Sequence, residues 1–423
     1  MVKEPTEEQS KILQQKGNIV ITAKPGSGKT YTIVEKIARV IPDLPEYKGV
    51  IAISFTNKAS DELKRRCKQR CADTKQSFFG TIDKFYISQI IIPFSSHVTG
   101  NITEYEIVDN IDESSKYALL LEEPFSSKKE SILVEGLQEG KIFLKYTGET
   151  ALYILENVPG AMQYIKARYS HIIIDEYQDY GEIQDKVFIK LVESGLTGIA
   201  VGDINQAIYG FTKRFPKYLI ALMKRDDFAR FELSKNHRCH PSISEYSLCL
   251  FGASKTVPRE KRVFKVDISG DERSIAAAID KYLNQIKDKY GIVRNNQVAI
   301  LCRSNSTAFK VGENLSTPYK IFEETVLDRD NSEWGRFFRD LISARFDESV
   351  FAVDYAEQLF SEELEPQKYR KALALCQSIF SNSFDDFCNA EDKIKELAGL
   401  VYAQKETKVA LNNLHSVISD PHQ

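Results

Sequence analysis

Apolar residues in the first half of the chain fall in short unbroken runs. Asn18–Ala23, Val50–Phe55, His171–Asp175, Gly198–Gly202 and Phe231–Ser234 are mostly β-branched and apolar. Runs of this length and make-up predict strands buried on both faces, the habit of parallel sheets. Between the first two, apolar residues switch to helical spacing at Ile33, Val34, Ile37, Ala38 and Ile41, and Pro42 stops the run. Strands alternating with helices predict an α/β fold with an open, doubly wound parallel sheet.

The rhythm breaks from about residue 96 to 165, where Ser- and Lys-rich stretches such as Ser126–Ser131 appear. This reads as a subdomain inserted between two strands of one sheet. The expected first domain is therefore 1–95 together with 166–235, with 96–165 as the insertion. A second α/β unit is expected over 236–330, with a strand at Val298–Arg303. From Trp334 the pattern is helical, with Phe337, Phe338, Leu341 and Ile342 on one face, so 331–423 is expected to be a helical region.

Composition narrows the classes. The 423 residues are 42% hydrophobic and 28% charged, enough for a full core and against a disordered chain. The formal net charge of −3 excludes a uniformly basic coat but not a local basic groove. Seven cysteines without a C-x-x-C pair argue against a disulfide framework, so a reduced, cytoplasmic setting is expected. The polar start MVKEPTEEQS is unlike a signal peptide, and the longest apolar run, near Ile87–Phe94, is too short to span a bilayer; no membrane partner is expected.

The first chemical signal is Ile19–Thr30, IVITAKPGSGKT. An apolar strand enters Gly26-Ser27-Gly28-Lys29-Thr30 and a helix follows. Small residues let backbone N–H groups turn toward phosphate oxygens, and the helix aims its positive dipole end at the same anion. Lys29 would reach the β- and γ-phosphates and Thr30 would offer a hydroxyl to Mg²⁺. The strict pattern has glycine where Ala23 stands. The bland alternative is a glycine turn with an incidental lysine.

The second signal is His171–Asp179, HIIIDEYQD. Three isoleucines bury the strand, and Asp175 and Glu176 emerge at its carboxyl end, where α/β sites form. Asp175 would hold Mg²⁺, and Glu176 would orient or deprotonate the attacking water. Without a phosphate loop upstream, such a pair would read as a solvated turn.

Together AKPGSGKT and IIIDEYQD resemble the superfamily 1 helicases of the UvrD/Rep/PcrA type, and further segments agree in order. Gln9 resembles the adenine-reading glutamine. SFTNKA, with Phe55, Thr56 and Asn57, and GTIDKF, with Thr81, resemble segments that touch single-stranded DNA, although Asp83 stands where histidine is common. VGDINQAIYGF resembles the segment in which a glutamine, here Gln206, senses the γ-phosphate and an aromatic, here Phe211, stacks on a base. NHRCHPSI resembles the segment whose arginine, here Arg238, reaches the γ-phosphate, with His237 where an adenine-stacking aromatic stands. AILCRSN, at Ala299–Asn305, resembles the first strand of the second motor domain.

The resemblance implies a P-loop, RecA-like parallel sheet with an inserted helical subdomain and a second, incomplete RecA-like unit plus helices. It implies Mg²⁺–ATP hydrolysis coupled to single-stranded or partly duplex DNA. The basic cluster Lys58, Lys64, Arg65, Arg66, Lys68 and Arg70 would extend a DNA surface, or else be a solvated helix face. The family's last two motifs, resembling T-x-H-x-x-K-G-L-E and V-A-x-T-R-A, have no counterpart in Glu348–Gln423. A shortened helicase, an arginine supplied by a partner, or a DNA-dependent ATPase that does not unwind are the open alternatives. Compact relatives also serve anti-phage systems such as Gabija beside a nuclease, which implies a nuclease or other protein partner.

Overall fold

The computed structural model describes residues 4–71, 73–100, 104–122, 125–206, 216–249, 260–321, 325–327, 330, 332–346, 350–360, 365–381, 390–401, 412–414 and 416. They form two compact units, Met1–Phe264 and Lys265–Gln423.

The first unit is built on six parallel strands, β1 (Asn18–Ala23), β2 (Gly49–Ile53), β3 (Phe78–Gly80), β6 (Tyr169–Ile174), β7 (Thr197–Gly202) and β8 (Phe228–Leu233), in the order β3-β2-β6-β7-β1-β8. The expected parallel sheet is thus present, with five of its strands at the anticipated places. β3 escaped detection because three residues at a sheet edge carry too little periodicity to read. Successive side chains point to opposite faces. Ile51, Ile53, Ile172 and Ile174 enter one apolar layer with Phe85, Tyr86, Ile154 and Phe188. Val50, Ala52, Ile173 and Ile199 enter the other with Ile12, Ile33, Ile37 and Leu63. The second layer belongs to α1 (Glu7–Gln14), α2 (Lys29–Val40) and α3 (Asn57–Arg70). Both faces are covered, which is why the strand sequences are continuously apolar.

The insertion leaves the sheet after β3 and returns at β6. It contains α4 (Ser127–Gln138), α5 (Thr147–Asn157), α6 (Pro159–Arg168) and a two-stranded parallel ladder of β4 (Glu106–Val108) and β5 (Lys141–Phe143). Its own small core is Tyr117, Leu120, Leu133, Phe143 and Tyr146. α5 and α6 lie instead on the main layer through Ala151, Ile154, Ala161 and Ile165, so the inserted helices also roof the sheet.

The second unit departs from expectation. Its described regular elements are helical, with a core of Trp334, Phe338, Leu341, Tyr355, Tyr369, Cys376, Ile394 and Leu397. The expected strand at Val298–Arg303 is not formed, and Leu301 is 95% exposed. A strand needs a neighbour for its N–H and C=O groups; among the described residues of this unit there is none. The expected break after residue 235 also moves, because Asn236–Cys239 belong to the first unit.

Gly49 opens β2 where a β-carbon would collide with the Gln76–Ser77 backbone. Gly49→Ala is expected to lower the unfolding free energy by about 1–3 kcal/mol through overpacking. A chemical-denaturation midpoint equal to that of the unsubstituted chain would show that residues 76–77 give way.

Candidate nucleotide site

β1 runs into a turn closed by the Ser27 N–H donating to Lys24 O at 3.1 Å. Gly26 (φ 72°) and Gly28 (φ 89°) take left-handed backbone that side-chain-bearing residues rarely adopt. Both are crowded as well. A β-carbon on Gly28 would stand 2.8 Å from Gln9 Nε2, and one on Gly26 would stand 2.9 Å from Arg238 Cβ. Three segments far apart in sequence therefore meet on the two glycines. The His237 N–H donates to Gly26 O at 2.8 Å, and Asn236 Oδ1 accepts from the N–H groups of Arg238 and Cys239 at 2.8 and 2.9 Å. Ala23 ends β1, buried beside Leu233; its methyl is accommodated there.

The loop fits a phosphate chain. α2 starts at Gly28 without any side-chain cap, so its first N–H groups have no side-chain acceptor. The Ser27 hydroxyl is buried and has no hydrogen-bond partner among the described residues, an arrangement that favours a bound acceptor. Lys29 and Thr30 form the first turn of α2, both half-buried. A divalent magnesium ion takes oxygen donors, and the Thr30 hydroxyl and Asp175 carboxylate supply that chemistry.

Opposite the loop, the Asp175 N–H donates to Ile53 O at 2.9 Å and anchors the end of β6 to β2. Glu176 sits at φ 57° and ψ 43°, a strained backbone for a glutamate. That twist brings its Oε2 to 2.6 Å from Lys29 Nζ. Gln178 Nε2 donates to the same oxygen at 2.8 Å. Burial pushes the Asp175 carboxyl up to about 6, helped by the Glu176 charge and opposed by Lys29.

α1 carries Gln9 through a capping box. Gln9 Oε1 accepts from the Thr6 N–H at 2.9 Å, and Thr6 Oγ1 accepts from the Gln9 N–H at 3.3 Å. The buried Lys36 ammonium on α2 donates to the carbonyls of Ile12, Leu13 and Gln15 at the other end of α1. Glu8 accepts from the Ser234 N–H at 2.9 Å, four residues before Arg238. These ties, with Gln178 and Asn236, were not apparent from sequence. A Thr-x-x-Gln spacing was the available signal for the cap, and the glutamine two places after Glu176 the signal for Gln178.

The residues expected to meet DNA differ from that cluster in character. Thr56 and Asn57 are exposed and Phe55 is half-buried, with Thr56 Oγ1 capping α3 through the Ala59 N–H at 3.2 Å. Thr81 likewise caps the short helix Ile82–Phe85. Asp83, in the place where histidine is common, accepts from Thr147 Oγ1 at 2.6 Å and ties that helix to α5. Gln206 ends the turn Ile204–Gln206; Phe211 lies outside the described residues. The basic cluster on α3 is partly neutralised. Arg65 and Arg66 both pair with Glu62, holding its carboxyl at about 2, and Arg70 pairs with Glu35. Lys58, Lys64 and Lys68 remain exposed on the helix.

Comparison with known proteins adds similarity at the level of sequence. Residues 7–212 match the AAA domain family model. The chain is similar to the Gabija protein GajB of Bacillus cereus, 29% identical over 75% of this chain and 64% of the relative. It is similar to DNA helicase II of Haemophilus influenzae, 26% identical over 79% of this chain and 53% of the relative. It also resembles the ATP-dependent DNA helicase PcrA of Staphylococcus aureus, 26% identical over 49% of this chain and 34% of the relative. The chain is thus similar to helicase-related proteins of the UvrD/PcrA kind. The chain spans between about a third and two thirds of the length of these curated relatives. Among its described residues no helix is long and apolar enough to cross a membrane.

The pH behaviour of Asp175 is testable in metal-free protein. Its folded carboxyl, raised from 3.8 to about 6, holds a proton that the unfolded chain releases. Stability linked to this group is therefore full below about pH 4 and falls as pH rises toward 6. Thermal denaturation of Asp175→Asn should lack that component, so the two stability curves should diverge over this window. Parallel curves would contradict the assignment.

Proposed function

We propose that this protein is an ATPase motor of the UvrD type, hydrolysing Mg²⁺–ATP in step with single-stranded or partly duplex DNA binding in the cytoplasm, in DNA repair or phage defence. The observation that carries the reading is the 2.6 Å contact between Lys29 and Glu176, which joins the phosphate loop to the acidic strand end. Gln9 would read adenine from the Gly28 side, and His237 would stack on it. The amides around Gly26, Ser27 and Gly28 and the Lys29 ammonium would hold the phosphates. Thr30 and Asp175 would hold Mg²⁺. Bound there, the ion neutralises charge on the β- and γ-oxygens. Glu176, drawn off Lys29 by the competing triphosphate, would orient or deprotonate the attacking water. Arg238, standing against Gly26, would reach the γ-phosphate with Gln206. Phe55, Thr56, Asn57, Thr81 and Phe211 would meet DNA, the aromatic rings by sequence-neutral stacking.

Two observations favour a second reading, a nucleotide-gated regulatory subunit of a nuclease complex without unwinding activity. One is the similarity to GajB, whose name assigns it to Gabija. The other is that Val298–Arg303, where a second motor sheet would begin, forms no strand.

Steady-state hydrolysis should rise on adding single-stranded DNA. Lys29→Ala and Glu176→Gln should each lower it by roughly 10²–10⁴-fold. Purified intact chain without turnover, with or without DNA, would refute the ATPase. Strand separation by the chain alone would remove the regulatory reading, whereas turnover that appears only with a nuclease partner would support it.

A further inference from the structure

The side chain of Gln178 is buried, 2% exposed, and both ends of its carboxamide are engaged. Oε1 accepts from the Asp203 N–H at 3.0 Å, and Nε2 donates to Glu176 Oε2 at 2.8 Å. A backbone N–H can only donate, so it dictates which end of the amide is oxygen and leaves the nitrogen facing the carboxylate. Asp203 follows β7 directly, and its carbonyl accepts from the Gln206 N–H at 3.1 Å, closing the turn Ile204–Gln206. One polar chain thus runs from Lys29 through Glu176 and Gln178 to Asp203 and Gln206. Gly202 makes room for it: a β-carbon there would stand 2.6 Å from Gln178 Oε1.

We propose that Gln178 is a positioning residue that transmits occupancy of the phosphate loop, through the Glu176 carboxylate, to the turn carrying Gln206. The proposal rests on the ATPase reading and extends it. In this structure one oxygen of Glu176 is shared between Lys29 and Gln178. A triphosphate competes for the lysine, and the glutamine becomes the donor that keeps the carboxylate aimed. The carboxamide is planar and stiff, so a reorientation at its nitrogen end is felt at its oxygen end. The buried setting strengthens both hydrogen bonds and penalises breaking either. Glu176, assigned to the attacking water, and Gln206, assigned to the γ-phosphate, would then respond to it together.

The test compares the full chain with Gln178→Met, which removes both hydrogen bonds at similar volume, and Gln178→Glu, which keeps an acceptor for Asp203 but loses the donor to Glu176. Hydrolysis kinetics and amide hydrogen exchange at residues 202–206 are read with and without Mg²⁺ and the non-hydrolysable analogue adenylyl imidodiphosphate. Gln178→Met should keep KM within about threefold while kcat falls at least about tenfold. Its 203 amide should exchange faster and no longer respond to the analogue. Gln178→Glu should keep the basal protection of that amide yet lose kcat similarly, and it serves alone if the methionine variant fails to fold. Wild-type kcat together with a wild-type exchange response in either folded variant would overturn the relay. If the unsubstituted chain hydrolyses nothing, the ATPase reading fails, and exchange still judges the relay. A response lost in the variants supports it, and a response unchanged, or absent from the analogue-bound wild type, overturns it.

Discussion

A parallel sheet with apolar helices on both faces leaves few places for a charge. Lys29 and Glu176 occupy one of them, the carboxyl end of the sheet, where β1 turns into α2 and β6 ends one strand away across β7. Their 2.6 Å contact is half-buried, so each ion depends on the other for the solvation it has given up. Much of the site follows from satisfying this pair. Glu176 adopts a left-handed backbone to reach it, Gln178 supplies a second donor, and Asp175 next door is left so poorly solvated that its proton is held toward neutral pH.

The same end of the sheet collects segments from across the first unit. Glycines 26 and 28 lack side chains for two reasons at once, their backbone and the close approach of Arg238 and Gln9. The residues that fill those spaces are held by ordinary structural devices. A capping box and a buried lysine hold α1, and the Asn236 side chain organises the backbone before Arg238. Residues expected to read a nucleotide are therefore positioned before one is bound, which lowers the ordering cost of binding.

Charge on α3 is less committed. Arg65 and Arg66 sit in surface ion pairs with Glu62, whereas Arg70 pairs with the buried Glu35. The Glu62 pairs are of the exposed kind worth about 0–1 kcal/mol, so a phosphate backbone can compete for Arg65 and Arg66. The second unit offers a contrast. Its helices have a real apolar core, but the extended apolar segment at Val298–Arg303 has no ladder partner among the described residues.

The α/β class, five of the six main-sheet strands, the glycine turn before α2 and the acidic strand end were legible from sequence. Each is a local pattern: unbroken β-branched runs, small residues before a lysine, carboxylates after isoleucines. The cation-rich face of α3 was legible as composition, but the Arg70–Glu35 pair was not, because Glu35 lies on another helix. The missed β3, the role of Gln178 and the meeting of Gln9 and Arg238 on the glycines have no local signature. The expected strand at Val298–Arg303 was a sound local reading that lacked a neighbour. What sequence alone determined was which segments could be strand, loop or helix and which side chains are candidates for chemistry, since those follow from covalent geometry, burial period and residue type. Which of them touch was decided only by the tertiary structure, because strand order and two-sided packing bring residues 9, 26–29, 175–178 and 236–238 to one end of one sheet.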